Sequence, residues 1–162
     1  MLDLLKQRRS IRKYTGETIS DSDIKTLLEA AMAAPSANNI QPWEFIVVRD
    51  RKLCQQLAET HTWSRMCADA PVVFVICGDE ELSDHWVEDT SAATENLLLA
   101  VTGLNLGAVW VGVYPRPQRE KHVKKVLNIP PNLRVLCLVP VGHPAESKPP
   151  HTKYDESKVR YV

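Results

Sequence analysis

One domain in which helices and strands alternate is what this sequence predicts, and three features predict it. The 162 residues are 44% hydrophobic and 25% charged, an ordinary globular balance with enough length to bury a core. The apolar runs are short. PVVFVIC at 71–77 and RVLCLVPVG at 134–142 have the length of strands, well under the roughly 20 residues that a membrane-spanning helix needs. Between such runs lie segments whose apolar residues recur at helical spacing.

The elements follow in order. MLDLLKQRRS places cations after a very short apolar stretch, the reverse of a secretory leader, so a cytoplasmic chain is expected. Ser20 and Asp23 form an S-x-x-D capping signature ahead of Ile24, Leu27, Leu28, Ala31 and Met32, a helix expected to end near Ala34. Pro35 then opens PSANNIQPW, a loop of turn formers and amides leading to the strand EFIVV at 44–48. Its amides serve either as a well-capped connection or as donors and acceptors for the edge of a heterocycle. A helix over 50–60, the strand 71–77, and a long Ala-rich helix from about His85 to Leu104 come next. The later part of that helix, SAATENLLLAV, has so little polar surface that several sides should be covered. AVWVGVY at 108–114, a helix over 117–127 and the strand 134–142 complete the ordered part. The tail AESKPPHTKYDESKVRYV is rich in proline and charge and reads as an extended arm from about residue 145 of a single domain, 1–162.

Two chemistries find little support. Cys54, Cys67, Cys77 and Cys137 form no C-x-x-C pair, and Cys77 and Cys137 sit in apolar runs, as structural thiols do. His61, His85, His122, His143 and His151 show no metal-ligand spacing. The charge pattern is more telling. KQRRSIRK, residues 6–13, holds five cations in eight positions of a chain whose formal net charge is zero. A nonspecific nucleic-acid binder spreads its cations along a face, whereas one compact cluster suits one small anion. A solvated basic face at the end of a short helix is the plainer reading. Neither a nucleic-acid nor a membrane partner is expected.

RRSIRKY at 8–14, APSANNIQPWEFIVV at 34–48, LNLGAVWVGVYP at 104–115 and LVPVGHPAESKPP at 138–150 together resemble, in order and spacing, the landmarks of the FMN-dependent nitroreductase family, in its short members. The resemblance implies an α+β fold: a central mixed, mainly antiparallel sheet flanked by helices, in an intertwined homodimer with FMN at the subunit interface. Alternation alone would equally suit a doubly wound parallel sheet. NAD(P)H would be the electron donor, and a nitroaromatic, quinone or similar small acceptor would follow it in ping-pong order.

The same resemblance assigns roles. Arg8 and Ser10 would hold the phosphate and ribityl end, Arg9 would contribute mostly through its backbone, and Arg12 would lie near flavin N1 and O2. Arginine suits these tasks because its planar fork binds oxyanions bidentately and keeps its charge. Pro35, Ser36 and Asn39 would come from the partner subunit, with Ala37 and Asn38 in the same loop. Backbone N–H groups around Trp110, Val111 and Gly112 would reach flavin N5 and O4. Lys153 matches a basic phosphate ligand, with His151 as a second candidate. No protein acid, base or nucleophile is expected, since the protein supplies orientation and electrostatics. His61, Trp63, Arg65 and Trp86 either border the substrate pocket or pack on the surface. Two alternatives remain. One is a specialised flavoenzyme of the same fold performing dehydrogenation, dehalogenation or flavin fragmentation, and the other is a non-enzymatic interaction protein with a basic docking patch.

Overall fold

A computed structural model describes residues 2–162. Its elements are α1 (Leu2–Gln7), α2 (Asp21–Met32), β1 (Trp43–Val48), α3 (Arg51–Leu57), β2 (Val72–Asp79), α4 (Trp86–Gly103), β3 (Gly107–Ala108), β4 (Val111–Gly112), α5 (Pro117–Leu127) and β5 (Leu133–Gly142). Each helix start has a local cause. Ser20 accepts the Asp23 N–H and Asp50 accepts the Leu53 N–H, which satisfies donors that the first turn leaves open. Pro117 begins α5, where a missing N–H costs nothing, and Asn128 ends it in the left-handed conformation that asparagine tolerates.

The sheet runs β1-β2-β5-β3, with β4 also on β5, and every strand pair is antiparallel. A doubly wound parallel sheet is therefore excluded. The parallel component of the expected mixed sheet shrinks to one isolated bridge, Ser10 to Ala108. Both faces are covered. On β2, Val72, Phe74 and Ile76 pack with α2 and α4, while Val73, Val75 and Cys77 face the other core with residues of α3 and α5. Central strands buried on both faces must be apolar at every position, which is why 71–77 shows no alternation.

AVWVGVY is not one strand. The register that pairs Gly107 with Gly142 and Val111 with Leu138 puts Val109 opposite Pro140. Pro140 has no N–H to give, and its carbonyl lies 3.0 Å from the Tyr14 hydroxyl, which also sits 2.9 Å from the Ile11 carbonyl. The ladder opens at Val109–Trp110 and releases that backbone from pairing. Burial raises the Tyr14 phenol far above its ordinary range, so the hydroxyl keeps its proton for these two carbonyls.

The four cysteines are free and buried. Burial pushes the Cys67 and Cys77 thiols up to about 12, which removes thiolate chemistry at neutral pH. Among the described residues no helix is long and apolar enough to cross a membrane, and no His, Cys, Asp or Glu group is placed to hold a metal ion.

Candidate functional site

The basic run leaves α1 and crosses the sheet edge. The Ile11 N–H donates to the Ala108 carbonyl at 2.8 Å, and the Thr15 N–H donates to the His143 carbonyl at 3.0 Å. Residues 8–12 are thereby laid along the edge beside the opened ladder. Gly107 permits this approach, because a Cβ there would stand 2.7 Å from Cγ2 of Ile11. Gly107→Ala should lift the run from the sheet and cost about 1–3 kcal/mol, measured as a lower unfolding midpoint in urea.

Three cavities border Arg12, and two of them join the basic run to the other candidate residues. One is a notch of 340 Å³ lined by Arg8, Arg9, Ser10, Arg12, Lys148, His151 and Lys153. The other is a cleft of 410 Å³ lined by Arg12, His61, Trp63 and the chain from Val109 to Gly112. The structure thus brings the N-terminal arginines, Trp110–Gly112 and the tail cations Lys153 and His151 to one place. It does not bring Pro35, Ser36 or Asn39 there, since neither cavity is lined by them. Their loop is built for itself. Ser36 Oγ accepts the Gln41 N–H at 3.0 Å, Asn39 Oδ1 accepts from Gln41 Nε2 at 3.0 Å, and the Ala37 N–H donates to buried Asp89 at 2.8 Å. Asn38, Asn39 and Gln41 hold positive φ, so part of the amide content answers to backbone conformation.

The notch is strongly cationic and only partly neutralised. Arg8 lies 3.5 Å from Glu95, and Lys148 lies 3.3 Å from Glu146. Glu146 accepts the Arg12 N–H at 2.6 Å, and this bond, with Lys148 beside it, holds its carboxyl below the usual range. Arg9 donates to the Pro149 carbonyl and Lys148 to the Ser10 carbonyl, so the arm crosses back over the run before extending away.

Lys148 and Glu146 were not singled out in the sequence, although both stand inside the landmark LVPVGHPAESKPP; an acid and a base two apart in a proline-rich stretch look like solvated charge. Arg119 was missed as well. It reaches from α5 to donate to the Gly112 carbonyl at 2.9 Å, fixing the far wall of the cleft. Trp86 is only 5% exposed, packed edge-on to Tyr114 at 4.9 Å, so it is a core residue and no pocket border. Arg65 lines a neighbouring shallow cavity with His61 and not the cleft.

The His61 ring closes the cleft's side. Its Nδ1 accepts the Trp63 N–H at 3.1 Å, which puts the proton of the neutral ring on Nε2. That Nε2 is enclosed and has no partner among the described residues. Burial, followed by the charge of Arg119, lowers the His61 pKa and keeps the ring neutral.

A curated protein of Archaeoglobus fulgidus, provisionally named NADH dehydrogenase/NAD(P)H nitroreductase, is 48% identical over 91% of this chain and 87% of its own length. The FMN-dependent nitroreductase of Clostridium difficile R20291 superposes with a TM-score of 0.95 at 32% identity, covering 99% of this chain and 98% of that one. A provisionally named nitroreductase from Desulfovibrio desulfuricans, solved in complex with FMN, gives a TM-score of 0.85 at 31% identity, over 99% and 96%. The nitroreductase family model itself matches residues 5–66 and 57–143, which spans most of the fold and the first three landmarks: the chain belongs to the nitroreductase family.

Proposed function

We propose that this chain is an FMN-dependent oxidoreductase that takes electrons from NAD(P)H and delivers them to a nitroaromatic, quinone or similar small acceptor. The observation that carries the reading is the junction at Arg12 of a cationic notch with a cleft whose wall includes the opened ladder at Val109–Trp110. A mononucleotide has that division, an anionic phosphate at one end and a planar polar ring at the other.

The residues divide the work. Arg8, Arg9, Ser10 and Lys153 would hold the phosphate end, joined by Lys148, with charge-assisted bonds stronger than neutral ones. Arg12 would place positive charge at the ring's pyrimidine edge, and the N–H groups around Trp110, Val111 and Gly112 would face its central edge. FMN held by these residues would supply two-electron redox chemistry between the nicotinamide and the acceptor. No residue of the chain needs to act as a nucleophile, and the fixed cations and backbone donors supply orientation and electrostatics.

The site is completed in a homodimer in this reading, with Pro35, Ser36 and Asn39 coming from the second copy. What supports it is their separation from the notch, the partly uncovered flank of α4 at Ala92, Leu99 and Ala100, and an arm whose Tyr154 and Tyr161 are 72% and 84% exposed. Purified protein should be yellow, take up one FMN per chain, and oxidise NAD(P)H when given an acceptor; colourless protein that binds no added FMN would refute the proposal. Subunit exchange tests the shared site. Arg12→Ala and Asn39→Ala chains, each impaired alone, should recover about a quarter of wild-type activity when mixed, because half of the exchanged dimers carry one intact site of two. No recovery despite verified exchange would place both residues in the same subunit's site.

A further inference from the structure

Asp89 lines neither the notch nor the cleft, and it is only 5% exposed. It stands in the first turn of α4, where its Oδ1 accepts the Ala37 N–H at 2.8 Å and its Oδ2 accepts from the Ser83 hydroxyl at 3.2 Å. Ser83 is buried too, and its Oγ accepts the His85 N–H at 3.1 Å. Burying a carboxylate is costly unless its oxygens are bonded, so these partners matter. A helix thus reaches back 52 residues along the chain to hold one amide of the 35–41 loop. That loop needs a hold from outside. Asn38, Asn39 and Gln41 sit at φ of 50°, 57° and 56°, a conformation that persists only where the surroundings enforce it. The bonds from Gln41 to Ser36 and Asn39 tie the loop to itself and fix its shape, whereas the Ala37 bond fixes its place on α4.

We propose that Asp89 is the positioning residue of this loop: through the Ala37 amide it sets where Ser36 and Asn39 are presented, and so it completes the flavin site of the partner subunit and not the one formed by its own arginines. The inference rests on the reading of a site shared between two copies. It adds to that reading a buried residue that acts across the subunit boundary without touching the ligand.

The test titrates apo-protein with FMN and follows the quenching of free flavin emission. Asp89→Ala should weaken binding about tenfold, because a loop less often in place lowers the apparent affinity in proportion. Asp89→Asn, which keeps an oxygen for the Ala37 N–H, should stay within about threefold of wild type. Ala37→Pro breaks the same bond from its other end, and Ser36, extended at φ −139° and ψ 155°, accepts a following proline. It should weaken binding as Asp89→Ala does, and the double variant should be no weaker than either single one. Wild-type affinity in Asp89→Ala or in Ala37→Pro would overturn the proposal. Subunit exchange then separates positioning from general damage. Mixed with Arg12→Ala chains, Asp89→Ala chains should restore wild-type affinity at about a quarter of the sites, and mixed with Asn39→Ala chains they should restore none. Recovery with Asn39→Ala, or none with Arg12→Ala, would overturn the proposal and leave the shared site standing. Should Asp89→Ala not fold, Ala37→Pro takes its place in both mixtures. Arg12→Ala and Asn39→Ala chains that fail to complement each other despite verified exchange would remove the shared site, and this proposal with it.

Discussion

Arg12→Ala should weaken FMN binding by about 10- to 150-fold, the equivalent of one lost charged hydrogen bond at about 1.5–3 kcal/mol. Arg12 is the residue that both cavities share. Its guanidinium makes no ion pair among the described residues, and the Glu146 bond fixes its backbone and leaves the charged head exposed. Lys13→Ala is the matched control. Lys13 lines a third cavity with Tyr14, Arg49 and Arg51, which Arg12 also borders, and takes no part in the notch or the cleft. Titrating apo-protein with FMN and following the quenching of free flavin emission gives both affinities, and turnover with NAD(P)H at limiting FMN should fall in parallel. Equal losses from the two substitutions would mean a diffuse basic patch and no directed ligand.

Glu120→Ala should be the most destabilising change at a charged residue, at about 2–3 kcal/mol, given that breaking a buried pair costs about 3–5 and Arg134 would keep one partner. Glu120 is 8% exposed and joins three elements. Its Oε1 accepts from Arg134 Nε at 2.8 Å and from the Val135 N–H at 3.0 Å, and its Oε2 accepts from Arg134 Nη2 at 2.9 Å. Arg134 also binds Glu80 at 2.6 Å and sits 5.5 Å over the Trp86 and Tyr114 rings. Burial by itself would raise the Glu120 pKa, but Arg134, the Val135 N–H and Lys124 outweigh it and hold the carboxyl below its ordinary range. A depressed folded-state pKa contributes stability above the unfolded value of about 4.3, and that contribution disappears as the pH falls through the folded value. The stability gap between wild type and variant should therefore be full at pH 7 and shrink below about pH 4, as urea unfolding at several pH values would show. A gap that stays constant down to pH 3 would mean that Glu120 acts by packing and not by charge.

Much of this was legible in the sequence, for reasons that differ by residue. Capping at Ser20, the start of α5 at Pro117 and the strand at 72–79 are local matters, and local chemistry states them. Strand direction is not local. Val72 to Cys77 is buried on both faces in an antiparallel sheet, and its apolar run looks the same as a parallel one would. The break at Val109 depends on Pro140 and Tyr14, which are far away in the chain, so nothing within AVWVGVY marks it. In the site, the arginines stood out because five cations in eight positions are rare in a neutral chain. Lys148 did not, because its meaning comes from the Ser10 carbonyl, 138 residues away.

That return of the arm over the basic run has a consequence for synthesis. Arg9 is tied to Pro149 and Arg12 to Glu146, spans of 140 and 134 residues, and the strand that carries Gly107 is held by β5. While a ribosome is still making residues before about 146, the arginines are present but have nothing to close them into a notch. Loops of that span also close slowly, because their entropy is spent before any contact forms. Ligand retention by this chain would therefore report that translation has passed the arm, and a nascent or clipped chain ending before Glu146 would be left with a loose cationic segment and no anion to hold.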